Sequence, residues 1–254
     1  MIPFAPGGNY DVTSRIVAEP MSRQLGQTVL IDNKPGAGGV VGLELAYNAP
    51  PDGHTMIMAS FTVGYVAPIF AGKKEMLSSF APVSILTTVP TLVVVRADSK
   101  YNDMKSLLAD VKARPGAASI GHSGNGTTNH VSILRLQLND NLKFNIIPYR
   151  GSGPGTADLL AGNVDSFADQ LTSSMPHTKS GKLRPLASFG LDRIPELPDV
   201  PTMGDLASRT KRPTIGCANW ARSSGRRRPS SSRRPSRPTG HVSELLRLGL
   251  LKPE

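Results

Sequence analysis

The sequence predicts an α/β fold with largely parallel sheets. Short segments rich in Val, Ile and Thr alternate with amphipathic segments of roughly ten residues, which is the order expected when helices connect parallel strands. The 25 Gly and 22 Pro among 254 residues indicate many turns between these elements. A chain of this length can form one large domain or two smaller lobes.

Hydrophobic periodicity places the individual elements along the chain. Helices are expected over residues 11–25, 40–48, 104–113, 128–139 and from the loop 149–154 to residue 160. Strands are expected over residues 28–31, 54–60, 84–95, 144–148, 164–168 and 184–188, with residues 2–4 ending an earlier strand. Pro20 should bend the first helix, and Gly26 should cap its carboxyl end.

The net charge of +10 would suggest a nucleic-acid partner, but the basic residues are not evenly distributed along the chain. Twelve of the 29 Lys and Arg residues, but only two of the 19 acidic residues, lie from Arg209 onward. The basic charge is therefore confined to residues 209–254, and it says nothing about the partner of the preceding part. A nucleic-acid-binding protein that uses this Arg-rich tail remains an alternative, although the tail has no interleaved aromatic residues.

The tail differs from the rest of the chain in kind. Residues 222–240 contain only Arg, Ser, Pro, Gly and Thr. A segment without apolar side chains cannot bury enough surface to offset its loss of conformational entropy. We therefore expect residues 209–254 to be mostly disordered.

Other compositional features exclude several classes of site. The single cysteine, Cys217, permits no intrachain disulfide, and the five histidines show no metal-ligand spacing. No segment reaches the roughly 18 consecutive apolar residues typical of a transmembrane helix. We expect no metal and no cofactor.

Three glycine-rich loops share one design, in which a strand ends, a turn follows and a helix begins. These loops are Ala5–Asn9, His122–Thr128 and Tyr149–Pro154. A helix begins with unpaired N–H groups and a partial positive charge, so it suits a carboxylate or a phosphate. Turns of this kind also serve simply to reverse the chain, but three together favour a small anionic ligand.

Enzyme motifs fit less well. Residues 121–125 resemble a nucleophile elbow, but Asn125 stands where the second glycine belongs. The phosphate-binding lysine loop and the dinucleotide-binding glycine pattern are both absent from the sequence. We expect no enzymatic activity. An α/β hydrolase or transferase that uses Ser123 and His130 remains an alternative, although His130 is better explained as a residue that holds the loop.

The same loops resemble the Bug family, the extracytoplasmic solute receptors of tripartite tricarboxylate transporters. Six motifs occur in order over residues 2–206, which is much more specific than any single one. They are PFAPGGNYD (3–11), DNKPGAGG (32–39), PDGHT (51–55), SGNGTTNH (123–130), PYRGSGP (148–154), and GKLRPLA (181–187) followed by LPDVPT (197–202).

The resemblance implies a type II periplasmic-binding-protein fold, with a ligand cleft between two α/β lobes. Lobe 1 would hold residues 1–97 and lobe 2 residues 98–188, while residues 189–208 return toward lobe 1. The ligand would be a small carboxylate, held by backbone amides, hydroxyls and water. The implied binding residues are Phe4, Ala5, Pro6, Gly7, Gly8 and Asp11 from one lobe, and Ser123, Gly124, Asn125, Gly126, Thr127, Thr128, Tyr149, Arg150, Gly151 and Asp169 from the other.

The resemblance also implies a partner and a location. Family members deliver their ligand to membrane transporter subunits from the periplasm, and no nucleic-acid partner is expected. This chain departs from the family pattern at both ends. It starts inside the first strand without a signal peptide, so we expect cytoplasmic retention of the chain as written. The basic tail after Trp220 replaces the segment that completes lobe 1, which predicts a frameshift near Trp220.

Overall fold

The computed structural model describes residues 1–206, except for the side chains of Asn139 and Asp140. The predictions of a disordered tail and of a frameshift near Trp220 lie outside the described residues. No described helix is both long enough and apolar enough to cross a membrane.

Each of the five helices expected from periodicity is present, and the described residues contain three further helices, at 67–70, 171–179 and 203–206, that periodicity does not predict. Gly26 ends the first helix in the left-handed conformation, with φ 64°, and Pro20 lies inside that helix. The helices are α1 (Asn9–Leu25), α2 (Val40–Tyr47), α3 (Ala67–Phe70), α4 (Met104–Ala113), α5 (Thr128–Asp140), α6 (Ser152–Ala161), α7 (Leu171–Lys179) and α8 (Met203–Leu206). A short turn of π-helix, Thr62–Val66, leads into α3.

Five strands form one mixed sheet in the order β3-β2-β4-β1-β5. Strand β2 runs parallel to β3 and β4, whereas β1 runs antiparallel to both of its neighbours, β4 and β5. The strands are β1 (Thr91–Arg96), β2 (Ser119–His122), β3 (Asn145–Pro148), β4 (Ser166–Gln170) and β5 (Leu183–Ser188). The expectation of a largely parallel sheet is therefore wrong for β1. A strand buried on both faces has the same composition in either direction, so its sequence does not reveal its orientation.

Strand β1 shows how the core is divided between the two faces of this sheet. Val93 and Val95 pack with the buried residues of α4, while Leu92 and Val94 pack on the other face with Phe167 and Leu159. This alternation follows from the two-residue repeat of a strand. Residues 90–206, called here the sheet domain, therefore have an apolar core on each side of the sheet.

Residues 1–89, called here the N-terminal segment, lack strands that pair in a ladder. The segments 28–31 and 54–60 contain no β-strand, and 84–90 precedes β1 without pairing, so these three predictions are wrong. What remains is an isolated parallel bridge between Ile2 and Asn33, beside two backbone hydrogen bonds, from Met1 N to the Met56 carbonyl at 2.6 Å and from the Met58 N–H to the Met1 carbonyl at 3.2 Å. β-propensity is expressed only where a neighbouring strand and a buried face are available. A small cluster around Leu43 and Phe4 forms the core of this segment.

The division of the chain into lobes stays a prediction, but two packing features bear on it. Strand β1 lies inside the five-stranded sheet, although a boundary at residue 97 would assign it to the first lobe. Residues 189–206 also pack on the five-stranded sheet, because Thr202 bridges to Ser188 of β5. Ile194 and Met203 lie in the apolar cores on the two faces of this sheet.

Candidate ligand-binding site

A small pocket lies where the N-terminal segment meets the sheet domain, at the first residues of α1, α5 and α6. Its volume is about 10 Å³, near the minimum that one water molecule requires. Its lining comes from both parts of the chain: Phe4, Gly8, Asn9, Tyr10, Val63, Ser123, Thr127, Thr128, Asn129, Ser152 and Gln170.

The first loop is held against the third by backbone contacts. The Ala5 N–H donates to the Arg150 carbonyl at 3.1 Å. A side chain at Gly153 would place its Cβ only 2.2 Å from the Pro6 carbonyl oxygen, so only glycine fits there. The Phe4 ring is buried and lies 4.8 Å from the Tyr10 ring. These contacts bring the start of α1 to the pocket.

The second loop is fixed by side chains near its carboxyl end and at the start of α5. Thr127 caps α5, because its Oγ1 accepts from the His130 N–H at 3.4 Å and donates to the Gly124 carbonyl at 2.7 Å. Ser123 Oγ accepts from Asn129 Nδ2 at 3.1 Å. Gly126 has φ 75°, and a Cβ there would lie 2.4 Å from the Ala67 Cα. The loop therefore touches the N-terminal segment at a point where no side chain fits.

The third loop presents the start of α6. Gly151 has φ 137° and provides no side-chain cap for the helix, so the first N–H groups of α6 are left for another partner. Tyr149 turns away from the pocket, since its hydroxyl donates to Asp158 at 2.8 Å. Ser152, the first residue of α6, lines the pocket.

The side chains that line the pocket carry no charge. Hydroxyl and amide groups surround it, while the amino ends of α1, α5 and α6 supply partial positive charge. Helices α1 and α6 have no side-chain cap. Neutral donors and helix ends of this kind favour an anion without a permanent ion pair. The lining therefore has the kind of donors from which a carboxylate accepts hydrogen bonds, and in the form seen here it encloses room for about one water molecule.

Five of the expected binding residues line the pocket. They are Phe4, Gly8, Ser123, Thr127 and Thr128. Nine others belong to the same three loops but do not line it, and they shape the backbone instead: Ala5, Pro6, Gly7, Gly124, Asn125, Gly126, Tyr149, Arg150 and Gly151. Six lining residues are not among the expected binding residues: Asn9, Tyr10, Val63, Asn129, Ser152 and Gln170. All of them except Val63 are adjacent in sequence to an expected residue.

The two expected carboxylates, Asp11 and Asp169, lie behind the pocket lining. Asp169 is completely buried and accepts hydrogen bonds from Ser173 at 2.7 Å and from Ser174 at 2.8 Å. Burial raises the pKa of Asp169 above its ordinary value, while the hydrogen bonds from Ser152, Ser173 and Ser174 oppose that effect. Asp11 is bonded to the backbone of its own loop.

His130 holds the second loop, as its position in the sequence predicts. Its Nδ1 accepts from the Gly126 N–H at 3.1 Å, and its ring stacks on His122 at 4.4 Å between centroids. Burial lowers the pKa of His130 to about 4. In the part of the chain that the structure describes, Ser123 bonds to Thr127 and Asn129 and forms no hydrogen bond with His130. The arrangement does not support the hydrolase alternative.

Sequence comparison relates these loops to a known family. Residues 13–220 match the model of the tripartite tricarboxylate transporter family receptor. The chain belongs to this receptor family. The match ends at Trp220, two residues before the Arg-rich segment 222–240. The predicted Bug-family resemblance is therefore confirmed, and membership does not support the nucleic-acid alternative.

Curated relatives of this receptor family are longer than the matched region. The protein in the tcbD-tcbE intergenic region of Pseudomonas sp. (strain P51) is 38% identical over 210 residues, which cover 82% of this chain and 62% of that protein. BugT of Bordetella pertussis is 35% identical over 213 residues, covering 81% and 64%. The chain thus spans less than two thirds of the length of these two relatives.

Solved structures of receptors confirm the fold. The periplasmic binding protein BugD is 33% identical, with a TM-score of 0.77 over 82% of this chain and 70% of that one. MatC from Rhodopseudomonas palustris with bound malate is 30% identical, with a TM-score of 0.74 over 79% and 69%. Another R. palustris protein, with adipate, is 28% identical, with a TM-score of 0.76 over 80% and 69%. The predicted periplasmic-binding-protein-like α/β fold is confirmed.

Proposed function

We propose that this chain is a solute receptor that binds a small carboxylate between its two lobes. The observation that carries the proposal is the convergence of three helix starts on one pocket lined by neutral donors. Malate and adipate, which accompany two of the solved relatives, are both dicarboxylates. We expect the ligand of this chain to belong to the same chemical class.

The lining explains how a carboxylate is bound without an arginine. Each hydrogen bond to an ionised oxygen contributes about 1.5–3 kcal/mol, and the helix starts add smaller favourable terms. A buried cation would first have to lose its own hydration, which offsets much of the attraction. Neutral groups such as Ser123, Asn129 and Ser152 avoid that cost, so binding remains reversible, as delivery to a transporter requires.

Binding of a dicarboxylate requires the two parts of the chain to separate. The pocket of about 10 Å³ holds at most a water molecule. Thr62 Oγ1 and Thr128 Oγ1 lie 2.8 Å apart and join the N-terminal segment to the sheet domain directly beside it. We propose opening by rotation of one lobe against the other, with lobe boundaries near residue 97 or, if β1 moves with its sheet, near residue 90.

The family suggests the partner and the compartment. A receptor that closes on its ligand offers a membrane partner a shape that the open form does not have. We propose membrane subunits of a tripartite tricarboxylate-type transporter as that partner and the periplasm as the place of action. No catalytic step is part of this proposal.

Thermal unfolding with and without malate or adipate tests the proposal. A ligand at 100 times its dissociation constant stabilises the folded state by about 2.7 kcal/mol, which corresponds to a rise of roughly 5–10 °C in melting temperature. Ser123→Ala should weaken binding by roughly tenfold, whereas the exposed control Ser180→Ala should not. Absence of stabilisation by any carboxylate in a broad panel would contradict the proposal.

A further inference from the structure

A pair of side chains, the buried Asp11 and the half-buried Asn33, holds the first loop at two points. Asp11, 4% exposed, accepts from the Gly7 N–H through Oδ2 at 3.0 Å. Asn33 Nδ2 donates to the Phe4 carbonyl at 2.9 Å and to Asp11 Oδ1 at 3.1 Å. Residues 29 positions apart are thereby joined through one amide group. We call this arrangement the Asp11–Asn33 clamp.

We propose that Asp11 and Asn33 are positioning residues, which hold the first loop so that the start of α1 faces the ligand. Neither side chain lines the pocket. The proposal rests on the proposed function, and it gives Asp11 a different role from the direct ligand contact that the family resemblance implies. Asn33 lies in a different loop, so its sequence position alone does not predict that it holds the first loop in place.

The clamp determines which backbone groups remain for a ligand. The Gly7 N–H is taken by Asp11, the Phe4 carbonyl by Asn33 and the Ala5 N–H by the Arg150 carbonyl. None of the hydrogen bonds found in residues 1–206 uses the N–H groups of Gly8, Asn9 or Tyr10, and all three of these residues line the pocket. The first loop therefore presents the first turn of α1 and little else.

The negative charge of Asp11 would oppose an anionic ligand, but Arg15 compensates it. Arg15 Nε lies 3.1 Å from each carboxylate oxygen of Asp11. Burial opposes ionisation of Asp11, but hydrogen bonds from Arg15, Gly7 and Asn33 outweigh it, so the pKa of Asp11 is below its ordinary value. The carboxylate stays ionised and accepts from the loop, while the guanidinium compensates its charge.

A backbone bridge to Ile2 fixes the position of Asn33 itself. The Ile2 N–H donates to the Asp32 carbonyl and the Lys34 N–H donates to the Ile2 carbonyl, both at 2.8 Å. Asn33 is therefore held by backbone bonds on either side of it and serves as a fixed support for the loop. A support of this kind reduces the conformational entropy that the loop would lose on binding.

Amide hydrogen exchange of the Gly7 N–H tests the clamp without any ligand. In Asn33→Ala we expect this amide to exchange roughly tenfold faster or more, while Asn48→Ala, an exposed control, leaves it unchanged. Asn33→Asp keeps the size of the side chain but places a second carboxylate beside Asp11, so it should accelerate exchange at least as much. Unchanged Gly7 exchange in both variants would overturn the proposal.

Ligand binding provides the second readout. We expect both Asn33 variants to weaken malate or adipate binding by roughly tenfold or more with a melting temperature close to that of the control. A fall in melting temperature with unchanged affinity of the folded protein would mean a merely structural role and would overturn the proposal. If the unmodified chain binds no compound of the carboxylate panel, the proposed carboxylate class fails, whereas the exchange experiment still decides on the clamp.

Discussion

The N-terminal segment and the sheet domain use similar sequences in different ways. Residues 91–95 (TLVVV) and 83–87 (VSILT) are both rich in β-branched residues. The first run forms the fully buried strand β1, paired on both sides. The second stays unpaired, with Val83 84% and Ile85 79% exposed. Similar local preferences therefore end in opposite environments.

The difference shows that whether a segment forms a strand depends on the neighbouring strands as much as on its own residues. Strand β1 lies between β4 and β5, which supply hydrogen bonds along both edges, and helices cover both faces. The N-terminal segment has a core of a few side chains around Leu43 and an isolated bridge at Ile2. Helices α1 and α2 form there nonetheless, because their hydrogen bonds are internal.

The largest expected effect comes from replacing one leucine in each region by alanine and comparing the free energies of unfolding. Leu92→Ala removes a fully buried side chain from β1, so the free energy of unfolding should fall by about 2–5 kcal/mol. Leu30→Ala changes a residue that is 80% exposed in the N-terminal segment, and we expect a change within about 0.5 kcal/mol. Denaturant titration followed by circular dichroism measures both values. Equal losses would show that residues 28–31 are buried in solution.

The dependence of stability on pH tests the packing of the stacked pair His122 and His130, which lies where the sheet domain meets Phe70 of the N-terminal segment. Burial lowers the pKa of His122 to about 3, with a further contribution from His130, and burial alone lowers that of His130 to about 4. Below pH 6.5 the unfolded chain binds protons that the folded chain does not. Stability should therefore be complete above pH 6.5 and fall between pH 6.5 and 4, by up to roughly 3 kcal/mol for His130.

His130→Phe separates this effect from general acid sensitivity. The variant keeps a ring beside His122 and Phe70 but cannot accept a proton, so its loss of stability between pH 6.5 and 4 should be smaller than in the unmodified chain. His54→Phe, at an exposed position in a turn, provides the control. An identical pH profile for His130→Phe and the unmodified chain would contradict the assignment.

The sequence predicts helices α1, α2, α4, α5 and α6, the three loops and the family, but it does not predict helices α3, α7 and α8 or strand β2. It predicts the partners of each strand and the orientation of each carboxylate only in part. The cap at Gly26 is local, so its position directly after the first helix reveals it. The orientation of β1 and the unpaired segment 84–90 depend on residues far away in sequence. The family resemblance implies that Asp11 and Asp169 contact the ligand, yet neither side chain lines the pocket. Only the structure shows that Asn33, 22 residues from Asp11, completes the first loop.

The smallest expected change in stability, and the most direct test of the unpaired segment, concerns Ile85. Ile85→Thr keeps a β-branched side chain, so the free energy of unfolding should change by no more than about 0.5 kcal/mol. Exposed apolar β-branched segments pair with other chains, and light scattering at high protein concentration should therefore decrease. Leu191→Thr, in the sheet domain and 40% exposed, provides the control. Equal scattering from Ile85→Thr and the unmodified chain would mean that self-association does not start from residues 83–88, and the difference between the two regions would then lie in pairing alone.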